Sequence, residues 1–294
     1  MGFKDYHPIA NLIFFASIVT FSLLFKHPVT IAVCFAAALC YYIKLCGKTA
    51  VKSFCVFLLP MLAFVLLISG FTAHYGVTPL LTLPDGNKLT LEAIVYGFIL
   101  GLMTVTVIMW FFCYNEVVTA DKFMFVFGRI MPAAALVASM TLRFIPMYKS
   151  RLQIIAEAQR GIGMDYKTGT LKERMKNGGK IISILITWSL ENAIETSDSM
   201  RARGYGLKGR KNYGKFRWSA KDIYTVMIIL MLDVILAAGY IKKSLYCEYN
   251  PYIKFSEYSM FGMISLAAFT VLCFLPLITD IKEDIKWSRL KLKI

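Results

Sequence analysis

The chain has 294 residues, of which 57% are hydrophobic, and it carries a formal net charge of +15. High hydropathy combined with many charged residues excludes an ordinary soluble domain, because the two kinds of residue must be segregated along the chain. The composition indicates a membrane protein with basic segments outside the bilayer.

Six apolar segments have roughly the length that crosses a bilayer, about 20 residues. They are residues 9–25, 29–46, 54–71, 91–113, 223–241 and 258–279. The first segment lacks the short apolar core and small-residue cleavage site of a signal peptide, so we expect it to remain as the first helix. The predicted fold class is all-α, a polytopic membrane helix bundle of about six transmembrane helices with a cytoplasmic helical coupling domain.

Lysine and arginine collect between the fourth and fifth apolar segments. Residues 114–221 contain 19 lysines and arginines against 8 aspartates and glutamates, which accounts for 11 of the 15 net charges. Because short positively charged segments stay in the cytoplasm, this region and both termini are expected to be cytoplasmic. Three regions follow: transmembrane helices in 1–113, the coupling domain in 114–221, and transmembrane helices with a basic tail in 222–294.

The coupling domain contains two helical arms of similar plan. The first begins at Pro132, a residue suited to the first turn of a helix. It is expected to end at Gly161 and Gly163, and Pro146 predicts a kink or a division within it. The second arm follows the sequence TLKE, residues 170–173, which has the pattern of a capping box.

Both arms end in arginine followed by glycine. The sequence QRGIG, residues 159–163, resembles ARGYG, residues 202–206. Interaction with the helix dipole or with lipid headgroups explains one such end, but neither requires glycines at matched positions. Glycine removes bulk beside the guanidinium, so a helix tip can enter a groove while the arginine binds acceptors in bidentate fashion. We interpret the tips as docking elements for a partner with two similar grooves, as a dimer has.

The sequence contains no recognisable catalytic constellation, so we expect neither an enzyme nor a bound cofactor. The GKT at residues 47–49 follows a membrane helix and lacks the first glycine of a phosphate-binding loop. His7, His27 and His74 are far apart, and the cysteines form no CxxC pair, so no metal site is expected. Asp233 lies well inside a span and has two interpretations: a structural hydrogen bond to another helix, or coupling to protons or cations.

Three segments resemble a known family. They are HPIANLIFF at residues 7–15, TLRFIPMYKSRLQIIAEAQRG at 141–161 and SMRARGYG at 199–206. They are similar to the transmembrane T component of energy-coupling factor (ECF) transporters, the CbiQ-like proteins of prokaryotic vitamin and metal-ion importers. The resemblance implies two long coupling helices, each ending in an Ala-Arg-Gly-like motif that docks on one of two ABC-type ATPase subunits. It also implies a separate substrate-binding S component, and location in the cell membrane.

The resemblance assigns roles to two sets of residues. The ATPase-docking set is Gln159, Arg160, Gly161, Arg201, Ala202, Arg203 and Gly204. The set expected to contact the S component is Ile154, Ile155, Ile182, Ile184, Leu185 and Trp188. For the first tip two registers remain open: Arg160 corresponds either to Arg203 or, with loss of the second arginine, to Arg201.

The expected partners are therefore two ATPase subunits, an S component and the lipid bilayer, without nucleic acid. The main alternative is a self-sufficient secondary transporter or channel that uses Asp233. An integral membrane enzyme is a further alternative, against which the scattered histidines, cysteines and carboxylates argue.

Overall fold

The computed structural model describes residues 2–72, 78–82, 88–207, 216–245, 247–249, 254–255 and 259–291. Within these ranges the α-helices are α1 (Pro8–Leu24), α2 (Pro28–Cys46), α3 (Lys48–Ser53), α4 (Leu59–Thr72), α5 (Leu91–Val117), α6 (Ala120–Ile130), α7 (Pro132–Gly161), α8 (Leu171–Ala202), α9 (Ala220–Ile241) and α10 (Met260–Lys291). A 3₁₀ turn (Phe3–Asp5) precedes α1, and a π-helical stretch (Phe54–Leu58) joins α3 to α4.

Strands occur only as two short antiparallel pairs within the described ranges. Strand β1 (Pro79–Thr82) pairs with β2 (Lys88–Thr90), and β3 (Cys247–Glu248) pairs with β4 (Lys254–Phe255). Both pairs lie in links between apolar helices. The predicted all-α class is confirmed. His74, one of the three histidines considered in the sequence, lies outside the described residues.

Five helical segments are long and apolar enough to cross a membrane. They are Pro28–Cys46, Lys48–Ser69, Leu91–Val117, Ala220–Ile241 and Met260–Lys291. Helix α1 is equally apolar but has 17 residues, a length of about 26 Å against a hydrocarbon core of about 30 Å. The prediction of a polytopic membrane helix bundle is confirmed, with five helices of spanning length among the described residues and α1 as a shorter apolar helix.

The chain forms two compact units. The first contains Met1–Phe123 and Phe216–Ile294, and the second contains Met124–Lys215. The apolar helices α1 to α5, α9 and α10 belong to the first unit. The second is built around α7 and α8, the two arms predicted from the sequence.

The core of the first unit is rich in aromatic rings. Trp110 on α5 is fully buried, and its ring meets those of Phe14 and Phe15 edge-on at centroid distances of 5.8 and 6.3 Å. Its Nε1–H donates to the Sγ of Cys34 on α2 at 3.2 Å. Edge-to-face rings and a satisfied indole N–H are favourable for large buried aromatics. These contacts join α1, α2 and α5.

Two glycines allow α5 to approach α4 closely. A Cβ atom at Gly97 would lie 1.7 Å from the Oγ of Ser69, and one at Gly101 would contact Val65 and Leu62 at 3.6 and 3.7 Å. The spacing is the Gly-x-x-x-Gly pattern that lets membrane helices pack backbone against backbone. These small residues fix the α4–α5 contact.

The N-terminal residues fold onto one end of the bundle. Phe3 is completely buried, and its N–H donates to the Oδ1 of Asp280 on α10 at 2.5 Å. The N–H of His7 donates to Asp222 Oδ1 at 3.1 Å, and its ring stacks on that of Trp218 at 4.1 Å. The beginning of the chain is thereby attached to α9 and α10.

In the second unit α7 and α8 pack together in antiparallel order. The ring of Tyr148 meets that of Trp188 edge-on at 5.7 Å, and the Arg151 guanidinium lies 4.8 Å from the Trp188 ring centre. Ile155 and Ile181, which are 9% and 5% exposed, are the buried residues of the two helices. This pair of helices depends on few buried side chains.

Three local predictions concern the starts and the continuity of these arms. Helix α7 begins at Pro132. Helix α8 begins with a capping box: Glu173 N–H donates to Thr170 Oγ1 at 3.4 Å, and Thr170 N–H donates to Glu173 Oε2 at 2.9 Å. Both starts are confirmed. Helix α7 continues through Pro146, so the proline does not divide the arm. A proline removes one backbone hydrogen bond, and α7 retains the bonds on either side of it.

Candidate functional site

The end of α7 is closed by a glycine cap. Gly163 has a φ of +79°, its N–H donates to Arg160 O at 3.0 Å, and Met164 N–H donates to Gln159 O at 2.9 Å. This combination of hydrogen bonds with a left-handed glycine is the Schellman motif. The predicted stop at Gly161 and Gly163 is confirmed.

The end of α8 has the same cap. Gly204 has a φ of +80°, its N–H donates to Arg201 O at 2.9 Å, and Tyr205 N–H donates to Met200 O at 3.0 Å. A left-handed φ is disfavoured for residues with a Cβ, so this position requires glycine. The two arms therefore end in the same backbone conformation.

The matched hydrogen bonds decide which residues of the two tips correspond. Arg160 and Arg201 are the residues whose carbonyls bond to the glycine N–H, so they occupy equivalent positions. Ile162 then corresponds to Arg203, since each directly precedes the left-handed glycine. Of the two registers left open by the sequence, the backbone adopts the one in which the first tip lacks the second arginine.

The two tips present different chemistry at equivalent positions. In the first tip Ile162 is 65% exposed, and the Nε of Arg160 lies 3.6 Å from the Oδ2 of Asp165. In the second tip Arg203 is exposed and is followed by Tyr205, which is 49% exposed. One tip is apolar where the other is cationic.

The tips lie at opposite ends of the helix pair. The link after α7 is held to the start of α8, because Asn177 Nδ2 donates to Asp165 O at 3.0 Å and Arg174 Nε donates to Tyr166 O at 3.2 Å. The second tip follows Ala202, the last residue of α8. At about 1.5 Å per residue, Asn177 and Ala202 are ~38 Å apart along the helix.

The six side chains expected to contact an S component differ in exposure. Those most exposed are Ile154 at 53%, Ile182 at 55% and Ile184 at 38%. Leu185 and Trp188 are half-buried. Ile155 is 9% exposed and packs inside the second unit, so it offers no surface in this arrangement.

Helix α8 carries an exposed aliphatic stripe that the sequence interpretation captured only at its first residue. Its members, each more than half exposed, are Ile182 at 55%, Ile186 at 54%, Leu190 at 64% and Ile194 at 65%. A spacing of four residues places them along one side of the helix. The spacing was present in the sequence and could have identified the stripe.

Asp233 is hydrogen-bonded between two helices of the first unit. Ser17 Oγ on α1 donates to Asp233 Oδ2 on α9 at 2.6 Å. The other oxygen, Oδ1, is buried and accepts no hydrogen bond from the part of the chain that the structure describes. The contact supports the structural interpretation of this residue.

His7 and His27 cap helices, a role that the sequence interpretation did not assign. The Nδ1 of His7 accepts from Ile9 N–H, and the Nδ1 of His27 accepts from Val29 N–H, both at 3.3 Å. Each histidine is followed by a proline at the first helical position. Burial lowers the pKa of both imidazoles, and the Asp222 carboxylate opposes this shift at His7. Among the described residues, no three His, Cys, Asp or Glu side chains form a cluster able to hold a metal ion.

These features define a polytopic membrane protein with a pair of long helices whose capped tips are exposed. The sequence matches the family described as "Cobalt transport protein" (CbiQ) over residues 4–213, more than two thirds of the chain. The chain belongs to this CbiQ family, in agreement with the resemblance found in its sequence.

Several curated relatives carry the name energy-coupling factor transporter transmembrane protein EcfT. The protein from Bacillus subtilis (strain 168) is 35% identical over 103 residues, 35% of this chain and 39% of the relative. The protein from Lactobacillus helveticus (strain DPC 4571) is 38% identical over 99 residues, 33% of this chain and 36% of the relative. The similarity thus spans less than two fifths of the length of each of these two relatives.

Proposed function

We propose that this protein is the transmembrane coupling (T) component of an ECF-type ABC importer. In this role it transmits ATP-driven movement of two ATPase subunits to an S component that binds a vitamin or a metal ion. The protein itself performs no catalysis, and both termini lie in the cytoplasm of a prokaryotic cell. Family membership and the names of the curated relatives support this proposal.

The observation that carries the proposal is the arrangement of the tips. Two exposed helix ends share one cap geometry and lie at opposite ends of a helix pair. Two separated tips suit two docking grooves, one on each subunit of a dimer. Movement of the grooves would then act on both ends of the same pair of helices.

The ATPase-docking residues are proposed to be residues 159–163 in the first tip and 201–205 in the second. Arg203 is proposed to bind carbonyl or carboxylate acceptors, and Ile162 to fill an apolar part of the other groove. Because the tips differ at equivalent positions, each groove must be complementary to its own tip. The exposed stripe from Ile182 to Ile194 is the surface proposed to contact the S component.

The proposal is tested by co-purification of the full chain with its ATPases. Replacing Ile162 with Asp and Arg203 with Ala in one variant removes both anchors. Loss of a buried charged contact in the second tip, or burial of an unpaired carboxylate in the apolar groove of the first, costs about 2–5 kcal/mol. Each tip should therefore lose at least about thirtyfold in affinity, and the complex should not be recovered.

The matched control replaces Lys172 and Lys176 with Ala, two exposed cations on α8 that lie outside the tips. It should retain the ATPases at the yield of the unchanged protein. Recovery of the complex with the double tip variant at an undiminished yield would contradict the docking assignment.

A self-sufficient transporter makes a different prediction. It would take up substrate when the purified chain alone is reconstituted in liposomes. The T-component proposal predicts uptake only when the ATPases, an S component and ATP are also present.

A further inference from the structure

Helix α10 is longer than a bilayer crossing requires. It has 32 residues, about 48 Å at 1.5 Å per residue, whereas about 20 residues cross the hydrocarbon. Its polar residues are concentrated in the last third, residues 280–291. This segment therefore extends beyond the apolar region of the helix.

Two ion pairs join this segment of α10 to the end of α2 and to the start of α9. Asp284 Oδ2 lies 2.8 Å from Lys44 Nζ in the last turn of α2, and Glu283 Oε1 lies 2.7 Å from Lys221 Nζ at the start of α9. A Lys or a carboxylate is costly inside hydrocarbon, so these pairs mark the polar boundary of the bundle. They also neutralise two acids of α10 on the side that faces the other helices.

One side of this segment carries a row of cations, Lys282, Lys286 and Arg289, which we call the basic stripe. At about 100° per residue the three positions fall within ~60° of one another and opposite Asp284, while Glu283 lies about a quarter turn away. All three side chains are exposed, and with Ile285 and Leu290 they line one groove on the helix surface. None of the ion pairs formed by described residues includes a member of the stripe.

Exposed apolar side chains accompany the cations. Ile285 is 48% exposed and Leu290 is 45% exposed, and both line the same groove as the cations. Trp287 is 56% exposed on another side of the helix. Tryptophan is enriched where membrane meets water, and long basic side chains place their charge at that level while their stems cover apolar surface. The segment thus has the composition of a helix at the membrane interface.

We propose that the basic stripe binds the headgroups of anionic phospholipids at the polar boundary of the bundle. The stripe supplies charge complementary to phosphate diesters, and Ile285 and Leu290 contact the adjoining acyl chains. Each cation near an anionic membrane surface contributes about 1 kcal/mol, or about fivefold in binding. The bound lipid holds the end of α10 at a fixed depth, independently of the proposed transport role.

The test titrates the purified full chain in detergent with phosphatidylglycerol or phosphatidylcholine and measures bound lipid by native mass spectrometry. The unchanged protein should bind phosphatidylglycerol preferentially. Replacing Lys282, Lys286 and Arg289 with Gln should weaken phosphatidylglycerol binding by at least about tenfold and leave phosphatidylcholine binding unchanged. The control replaces Lys172, Lys176 and Lys180 on α8, three lysines of similar spacing, and should retain the preference.

Three outcomes of the lipid titration would overturn the proposal. They are an unchanged phosphatidylglycerol preference in the stripe variant, an equal loss in the α8 control, and competition of the lipid by free glycerol phosphate at equal concentration. Loss of ATPase co-purification with lipid preference intact would instead assign the stripe to a protein partner and would also overturn it. If the triple variant does not fold, the single Lys286→Gln variant should show about a fivefold loss, and no loss counts against the proposal.

Discussion

At the residue scale, equivalent positions in the two tips are identified by their backbone hydrogen bonds and not by residue identity. The sequence places an arginine before a glycine in both arms, which makes Arg160 and Arg203 look alike. The hydrogen bonds of the caps instead pair Arg160 with Arg201 and Ile162 with Arg203. An Arg-Gly pair in the sequence does not show whether its arginine lies in the last turn of the helix, as Arg160 does, or directly after it, as Arg203 does.

This assignment predicts different effects for neighbouring substitutions in the first tip. Ile162→Ala should weaken ATPase binding by about 2 kcal/mol, because most of the aliphatic side chain proposed to be buried in the ATPase groove is removed. Arg160→Ala should cost less than about 1 kcal/mol, because the 75% exposed Arg160 side chain forms its ion pair with Asp165 of the same chain. Biolayer interferometry measures the affinities of the two purified variants for the ATPases and shows which substitution causes the larger loss. A larger loss for Arg160→Ala would restore the register in which Arg160 corresponds to Arg203.

The hydrogen bond between Ser17 and Asp233 gives a second prediction at this scale. Asp233→Asn preserves an acceptor for the Ser17 hydroxyl but cannot carry a proton. Transport by the reconstituted complex should remain within about twofold of the unchanged protein, as a structural role requires. Abolished uptake with intact assembly would instead support ion coupling at Asp233.

At the element scale, short-range patterns were sufficient to predict where the two arms, α7 and α8, begin and end. Pro132, the Thr170–Glu173 capping box and the glycines after Arg160 each act within a single turn, so the sequence displays them directly. The helix pairing was not predictable in the same way. The contacts of Trp188 with Tyr148 and Arg151 join residues far apart in sequence, and nothing local distinguishes these rings from exposed ones.

The two histidine caps predict an acid-sensitive stability. Burial lowers the pKa of His7 and His27 below the ordinary value of 6.5, so the folded state favours the neutral rings that accept the capping hydrogen bonds. This contribution is present above pH 6.5 and is lost as the pH falls through the lowered folded values. Asparagine caps a helix without titrating, and a lost cap costs about 1 kcal/mol.

The Tm of the unchanged protein should therefore fall more between pH 7.5 and pH 5 than that of the His7→Asn/His27→Asn variant. Differential scanning fluorimetry in detergent measures both, and the variant controls for the titration of carboxylates elsewhere. Equal falls in Tm would show that the caps make no pH-dependent contribution.

At the scale of the whole molecule, hydropathy and charge predicted the bundle because a membrane demands long apolar runs. The same rule could not predict that Lys48 continues into the third span or that the tips lie at opposite ends of α8. Those properties depend on how helices pair, and antiparallel pairing of α7 with α8 follows from contacts formed only in the fold. The proposed mechanism depends on this separation, since it gives each ATPase its own point of contact.

Site-specific photo-crosslinking tests the central claim most directly. A photoreactive amino acid at Ile162 or at Leu207, which is 73% exposed beside the second tip, should capture an ATPase subunit in the assembled complex. The same group at Ile241, which is 80% exposed at the end of α9, should capture none. Capture of ATPase at both tips and not at Ile241 is the predicted result. Capture of lipid alone at both tips would contradict the account.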